Sequence, residues 1–133
     1  MSTLREAASE EHQALVKALI DKFVSDGLTI VKAAYEGYEK PYAIGRHEPD
    51  IIATNAYELY SIGEAKRCDD LTSQRSREQF EDFSNSHMTS GRSNGVTVPF
   101  HIITPKSCEQ ATSLVLSQLG LTAKPNVHWW VRG

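Results

Sequence analysis

Two acidic residues and a lysine occupy positions from which a single reacting centre can be built. Asp50 follows Pro49 and opens an apolar run, and Glu64 stands two residues before Lys66. Side chains alternate between the two faces of a strand, so Glu64 and Lys66 point to the same face. If the two runs pair as a hairpin with its turn near Tyr57, Asp50 lies across from Glu64, with Cβ atoms about 4.5 to 5.5 Å apart.

The chemistry of this arrangement follows from its charges. Two facing carboxylates repel each other, and a cation between them relieves the repulsion. Carboxylate oxygens suit the hard ions Mg²⁺ or Mn²⁺ better than zinc. The spacing therefore predicts that Asp50 and Glu64 bind a divalent metal with Lys66 beside it. The alternative is a cross-strand ion pair on a solvated hairpin face.

Hydrophobic periodicity predicts the elements that must hold these residues. An amphipathic helix over residues 5–25 ends at Asp26-Gly27, and β-rich runs indicate strands. The predicted strands are 28–34, 51–53, 57–62, 96–104 and 127–131, with a turn at 54–56. Thr72 or Ser73 caps a second helix that runs to about Asn85, and a Ser107-x-x-Gln110 capping box opens a third helix that ends at Gly120. The third helix is predicted to carry Ala111, Leu114, Val115 and Leu119 on one apolar face. Trp129 and Trp130 face opposite sides of the last strand, so we expect one to pack on the core and the other to face solvent, a partner chain or nucleic acid.

This pattern resembles a known family. Pro49-Asp50 and Glu64-Ala65-Lys66 resemble the PD-(D/E)XK signature of restriction-endonuclease-like nucleases. Together with a following helix that carries Gln79 and Phe83, the chain is most similar to the Holliday-junction resolvase branch. The resemblance covers residues 10 to 85. It implies an α/β fold, a three-layer sandwich with a central mixed β-sheet flanked by helices.

The resemblance also implies roles for individual residues. Asp50, Glu64, Lys66 and Gln79 would be catalytic. Asp50, Glu64 and the backbone carbonyl of Ala65 would hold Mg²⁺ or Mn²⁺. Gln79 would lie beside this site, with an exposed helical glutamine as the alternative interpretation.

The first helix of such proteins often adds a glutamate to the metal site. Glu10 and Glu11 are available, and Glu11 is the better choice because it lies one turn before Leu15 on the apolar stripe. His12 occupies the place where the resolvase pattern would put a glutamate. A helix-surface glutamate is the alternative.

Basic residues near the motif are candidates for contacts with nucleic acid. They are Arg46, His47, Arg67, Arg75, Arg77 and Arg92. Phosphate contacts need only a local basic patch, which is compatible with a net charge of −3. For each residue taken singly, ordinary solvation is the alternative. Tyr35, Tyr38 and Tyr42, in the loop before the motif, either stack on unpaired bases or cover the edge of the core.

Length and composition limit the classes of protein to which this chain can belong. With 133 residues and 40% hydrophobic content, the chain predicts a single domain over residues 1–133. It has no apolar run near the roughly 20 residues that a membrane span needs, and no apolar segment typical of a signal peptide. Cys68 and Cys108 lack CxxC or Cys/His spacing, so we expect reduced thiols in a cytoplasmic protein.

These observations predict a Mg-dependent endodeoxyribonuclease that hydrolyses phosphodiester bonds, with branched or junction DNA as a candidate substrate and RNA as an alternative. A homodimer is expected because two-fold symmetry suits paired cuts. Two other classes stay open. One is a non-catalytic nucleic-acid-binding protein that keeps the nuclease fold, and the other is a nuclease subunit that depends on a partner protein. An intact set of Asp50, Glu64 and Lys66 argues against the first.

Overall fold

The computed structural model describes residues 4–91 and 93–133, which form an α/β fold of three α-helices and five β-strands. The helices are α1 (Leu4–Ser25), α2 (Gln74–Ser84) and α3 (Glu109–Gln118), and a 3₁₀ turn, Lys106–Cys108, precedes α3. The strands are β1 (Thr29–Ala33), β2 (Ile51–Thr54), β3 (Tyr60–Ala65), β4 (Phe100–Pro105) and β5 (Val127–Arg132). The predicted α/β class is confirmed.

The five strands form one mixed sheet in the order β1-β2-β3-β4-β5. The β1/β2 and β2/β3 pairs are antiparallel, and the β3/β4 and β4/β5 pairs are parallel. Parallel neighbours need crossover connections, which α2 and α3 supply. The β3–α2–β4 and β4–α3–β5 crossovers advance in the same direction across the sheet. Because crossover connections between parallel strands are almost always right-handed, both helices lie on the same face. With α1 on the other face, the arrangement is compatible with a three-layer sandwich.

Two hydrophobic clusters bury the two faces of the sheet. The α1 side contains Leu15, Val16, Leu19, Ile20, Phe23, Ile51, Ala53, Ala65 and Ile103. The α2/α3 side includes Ile62, Leu71, Phe80, Phe83, Phe100, Ile102, Val115 and Leu116. Because Ala65 packs on the α1 side, its neighbours Glu64 and Lys66 point to the α2 side of the sheet. The fold therefore sets the direction of two of the predicted site residues.

Close packing of α1 on the sheet depends on Gly63. A Cβ atom at this position would lie 2.9 Å from Cδ2 of Leu19 and 3.2 Å from Cε2 of Phe23. Any larger residue would push α1 away from β3. The glycine that precedes Glu64 is therefore required by helix-on-sheet packing.

The hairpin forms in the predicted register, although its turn is longer than predicted. Ile51 pairs with Gly63, as a turn near Tyr57 requires. The second strand begins at Tyr60, because the side chain of Asn55 accepts hydrogen bonds from the backbone N–H groups of Tyr57 and Leu59, at 2.8 and 3.0 Å. Such side-chain bonds stabilise a turn in place of a strand.

Helices α1 and α2 match their predictions, and the face assigned to α3 is wrong. Ser73 caps α2 by accepting a hydrogen bond from the N–H of Ser76 at 3.0 Å. The predicted capping box does not form, because Ser107 lies within the 3₁₀ turn and α3 starts only at Glu109. The helix then buries Thr112, Val115 and Leu116 and leaves the predicted core residue Leu114 59% exposed.

Strand β5 forms as predicted, but the two tryptophans differ from expectation. We expected one to pack on the core and the other to face solvent or a partner. Instead both are half-buried, Trp129 against the α2/α3-side cluster and Trp130 against the α1-side cluster. Their indole N–H groups donate to Thr104 Oγ1 at 2.9 Å and to His101 Nδ1 at 3.0 Å. Burial on both sides follows from helices that cover both faces of the sheet.

The prediction of reduced thiols is wrong. Cys68 and Cys108 form a disulfide that joins the β3–α2 connection to the start of α3, with Cα atoms 5.6 Å apart. The two residues are 40 positions apart in sequence, so only the fold brings them together. A cytoplasmic location stays a prediction. No described helix has the length and apolarity to cross a membrane.

A histidine between α1 and β5 makes stability depend on pH. Burial, followed by the neighbouring His128, lowers the pKa of His101 to about 4. An unfolded histidine titrates near 6.5, so between about pH 6.5 and 4 the unfolded chain binds more protons. His101 should therefore contribute up to about 3 kcal/mol to the free energy of unfolding above pH 6.5, lost as the pH falls toward 4.

Urea unfolding at a series of pH values between 4 and 7.5 measures this loss. His101→Asn keeps an acceptor for Trp130 and should flatten the acid limb of the curve. His87→Asn, at an exposed histidine, should leave the curve unchanged. An unchanged acid limb in His101→Asn would contradict this account.

Candidate active site

The site lies at the open end of the β2–β3 hairpin. The N–H of Asp50 donates to Gly63 O at 3.0 Å, which extends the hairpin pairing to this residue and brings its carboxylate beside Glu64. Asp50 is 9% exposed, Glu64 2% and Lys66 5%. The three predicted residues thus lie together inside the protein, and the alternative of a solvated hairpin face is wrong.

The pKa of Asp50 is the lower of the two in the acidic pair. Its Oδ2 accepts a hydrogen bond from the N–H of Ala65 at 2.8 Å and lies 3.2 Å from Nε2 of His12. Burial alone would raise the pKa of Asp50, but hydrogen bonding with Glu64, His12 and Ala65 holds it below its usual value. The same bond to Asp50 raises the pKa of His12. Ala65 thus contributes its N–H here, and a metal-binding role for its carbonyl stays a prediction.

Glu64 has the opposite character. Burial, followed by the charge of Asp50, raises the pKa of Glu64 well above its ordinary value. Its Oε2 is buried and accepts no hydrogen bond from an N–H or hydroxyl group of the described residues, so the contact between Glu64 and Asp50 requires a shared proton or a cation. A buried oxygen without a partner is costly, and a cation would satisfy it.

The donor set fits a hard divalent ion. Mg²⁺ is usually held by one or two carboxylates, and water and substrate phosphate complete its coordination. Asp50 and Glu64 supply two carboxylates at one point. Among the described side chains, no group of three or more His, Cys, Asp and Glu residues could hold a metal. The pair alone would therefore supply only part of the coordination of a metal ion.

Lys66 is fixed by its neighbours. Its Nζ donates to Oε1 of Gln79, which is buried on α2, and lies 3.5 Å from Oδ2 of Asp70. The prediction that Gln79 lies beside the site is confirmed, and the alternative of an exposed helical glutamine is wrong. The ammonium group is thereby held next to the carboxylate pair.

A cavity of about 420 Å³ opens above these groups. Asp50 and Glu64 line it together with the cationic residues Lys40, Lys66 and Arg75. Acidic groups with cations around them can bind a metal ion and a phosphate at the same time. The cavity is therefore suited to a phosphate ester.

The predicted metal ligand of α1 is placed differently. Glu11 is exposed and does not line the cavity, whereas His12 does. Successive helical residues are rotated by about 100°, so only one of these neighbours can face Asp50. His12 lies three residues before Leu15, on the stripe that packs on the sheet. Spacings of three and four residues from Leu15 both fit that stripe, so only the packing of α1 decides between His12 and Glu11.

Three of the predicted nucleic-acid contacts are engaged elsewhere. Arg46 forms two hydrogen bonds to the Asp82 carboxylate, at 3.1 and 3.0 Å. Arg67 donates to Asp69 at 2.8 Å, and Arg77 donates to Gln118 on α3 at 3.1 Å. None of these three arginines lines the cavity. The prediction did not foresee these contacts because the acceptors of Arg46 and Arg77 are remote in sequence.

The other predicted contacts have separate outcomes. Arg75 is exposed and lines the cavity. His47 lies outside it, 4.0 Å from Glu78, and its Nε2 has no hydrogen-bond partner among the described residues. Arg92 lies outside the described residues. Lys40, which sequence reasoning missed, lines the cavity from a loop that has no periodic pattern.

Fold and site together define an α/β protein with a buried acidic pair and a buried lysine at one end of a hairpin. No protein-family model, no curated protein and no solved structure matches the chain. The functional conclusion consequently depends on the chemistry of the site.

Proposed function

We propose that this protein is a metal-dependent endonuclease of the PD-(D/E)XK type that hydrolyses phosphodiester bonds in DNA. One observation carries the proposal: the buried Glu64 has an oxygen that accepts no hydrogen bond from the described residues, and the charges of both Asp50 and Lys66 act on it. A purely structural ion pair would satisfy both carboxylate oxygens. An unsatisfied acid in an open cavity is typical of a ligand site.

Asp50 and Glu64 would hold the ion. The N–H of Ala65 and the ring of His12 keep the Asp50 carboxylate in one orientation. A bound Mg²⁺ or Mn²⁺ would neutralise charge on the phosphoryl oxygens and make water a better nucleophile. His12 acts here as a positioning residue, because it contacts Asp50 and leaves Glu64 open.

Lys66 would act on the reacting phosphate. Water attacks phosphorus, and the bond between phosphorus and the leaving 3′-oxygen breaks, giving the 5′-phosphate and 3′-hydroxyl that the family resemblance implies. Negative charge grows on the phosphoryl oxygens during this step, and an ammonium fixed in advance stabilises that charge. Gln79 and Asp70 keep Lys66 in place.

Cleavage assays test the proposal directly. End-labelled four-way junctions, flaps, plain duplexes, single strands and RNA are incubated with the protein in Mg²⁺, Mn²⁺ or EDTA. We expect metal-dependent cleavage of at least one DNA substrate and none in EDTA. Absence of cleavage across the whole panel, with a folded protein, would contradict the proposal.

Binding of the DNA backbone should depend on Arg75 more than on Arg77. Arg75 lines the cavity, whereas Arg77 is bonded to Gln118. Arg75→Glu should therefore weaken DNA affinity for every sequence and reduce the slope of log affinity against log salt by about 1. Arg77→Glu is the matched control and should have a smaller effect.

Fluorescence anisotropy in Ca²⁺ at 50 to 200 mM salt measures both effects. Equal losses in Arg75→Glu and Arg77→Glu would show that the basic surface does not centre on the cavity. If the DNA affinity does not change with salt concentration, the protein does not bind DNA through phosphate contacts.

A second candidate is a nuclease that depends on a partner. Arg46, Arg67 and Arg77 are all engaged within the chain, so these three predicted contacts are less available to a long polyanion. A second copy of the chain or a partner protein would then supply much of the DNA contact. Sedimentation of the protein with and without DNA distinguishes a homodimer from a monomer.

A further inference from the structure

A second cavity, of about 320 Å³, lies along the same hairpin. Tyr60 and Ile62 of β3 form part of its floor, and they stand four and two residues before Glu64. Even spacing places them on the same face of the sheet as Glu64, with Tyr60 about 13 Å away along the strand. Tyr42 lines this cavity and directly follows Pro41, which lines the catalytic cavity. The two cavities are therefore neighbours on one face.

The lining of this second cavity differs in chemistry from that of the catalytic cavity. Most of its lining is apolar or aromatic, with phenol rings from Tyr42 and Tyr60, and His87 adds an imidazole ring. Ser86, Thr89 and Ser90 contribute hydroxyl groups, and no lysine, arginine, aspartate or glutamate is among the described residues that line it. Such a cavity disfavours a phosphate and accepts a flat, uncharged group that has polar edges.

We propose that this cavity binds an unpaired nucleobase of the substrate strand. The proposal rests on the proposed nuclease function and specifies its substrate. A base has a π-face that stacks on tyrosine and edge groups that hydrogen-bond to hydroxyls. At the 3.4 Å rise of a stacked strand, 13 Å corresponds to about four steps, and an unstacked strand covers the same distance in fewer, so the base lies about two to four nucleotides from the phosphate at Glu64. The strand would place its phosphate in the catalytic cavity, beside Lys40, Lys66 and Arg75, and a base in the aromatic one.

Substrate selection follows from this arrangement. A base within a duplex is stacked and paired, and it must leave the stack before it can enter a protein cavity. DNA with an unpaired base about two to four positions from the cut avoids that cost. The protein therefore selects strands with unpaired bases near the cleaved bond.

An abasic scan tests the proposal. Labelled single strands carrying one abasic site at each position in turn are bound to the protein in Ca²⁺ and cut in Mg²⁺. Loss of one stacked base should weaken binding by about 5- to 150-fold at a single position, about two to four nucleotides from the cut. Tyr42→Ala should remove this dependence, and Tyr42→Phe, which keeps the ring, should retain it. Tyr57→Ala is the control, because Tyr57 is 71% exposed and lines neither cavity.

The outcomes separate this proposal from the proposed function. If the abasic scan shows no dependence of binding on position while cleavage is intact, only the proposal that this cavity binds a base is contradicted. A position-dependent scan that Tyr42→Ala abolishes, without any cleavage, would support the cavity and overturn the nuclease. Equal loss in Tyr42→Ala and Tyr57→Ala, or no DNA binding by the parent protein, would overturn the cavity.

Discussion

Replacing Lys66 with alanine should nearly abolish cleavage and leave most of the DNA affinity in place. The ammonium is fixed beside the acidic pair by Gln79, so its main contribution is to charge that appears during the reaction. Loss of one such contact typically lowers turnover by about 10² to 10³. The measurements are single-turnover cleavage in Mg²⁺ or Mn²⁺ and DNA binding in Ca²⁺, where we expect affinity within a few-fold of the parent.

Lys40→Ala is the matched control for this experiment. Lys40 is an exposed lysine that lines the same cavity. Its loss should weaken binding through a lost phosphate contact and leave the rate at saturating DNA close to that of the parent. A Lys66→Ala protein that cuts at the parental rate would refute the catalytic role of this lysine.

The parts of the fold that depend on local pattern were predictable. The stripe in α1, the cap at Ser73 and the hairpin register each follow from residues that are close in sequence. Period-2 alternation then fixes Glu64 and Lys66 on one face. The core of the site could therefore be predicted without coordinates.

The parts that depend on tertiary contacts were not predictable. Arg46 is bound by Asp82, 36 residues away, and Cys68 is paired with Cys108, 40 residues away. No sequence pattern near Arg46 or Cys68 indicates that Asp82 or Cys108 is its partner. The choice between Glu11 and His12 depended on how α1 is rotated on the sheet, an angle that burial of Leu15 and Leu19 sets. Sequence periodicity gave the stripe, and packing decided which neighbour faces Asp50.

Divalent metal should stabilise the parent protein, and Asp50→Ala should remove the gain. Metal-free, the protein holds two buried carboxylates together, with one oxygen of Glu64 unsatisfied. An ion that binds only the folded state at a hundredfold excess over its Kd stabilises by about 2.7 kcal/mol. For a chain of this size that corresponds to a rise in Tm of roughly 10 °C. Thermal unfolding in EDTA and in millimolar Mn²⁺ or Mg²⁺ measures it.

The control for this experiment is Asp69→Ala. Asp69 is exposed and does not line the cavity, so its loss should leave the metal-dependent rise intact. Asp50→Ala removes one of the two proposed ligands and the charge that opposes ionisation of Glu64. It should therefore show little change in Tm with metal, whatever its stability in EDTA. An equal rise in the parent and in Asp50→Ala would show that the ion binds elsewhere, and the acidic pair would then lose its role as the metal site.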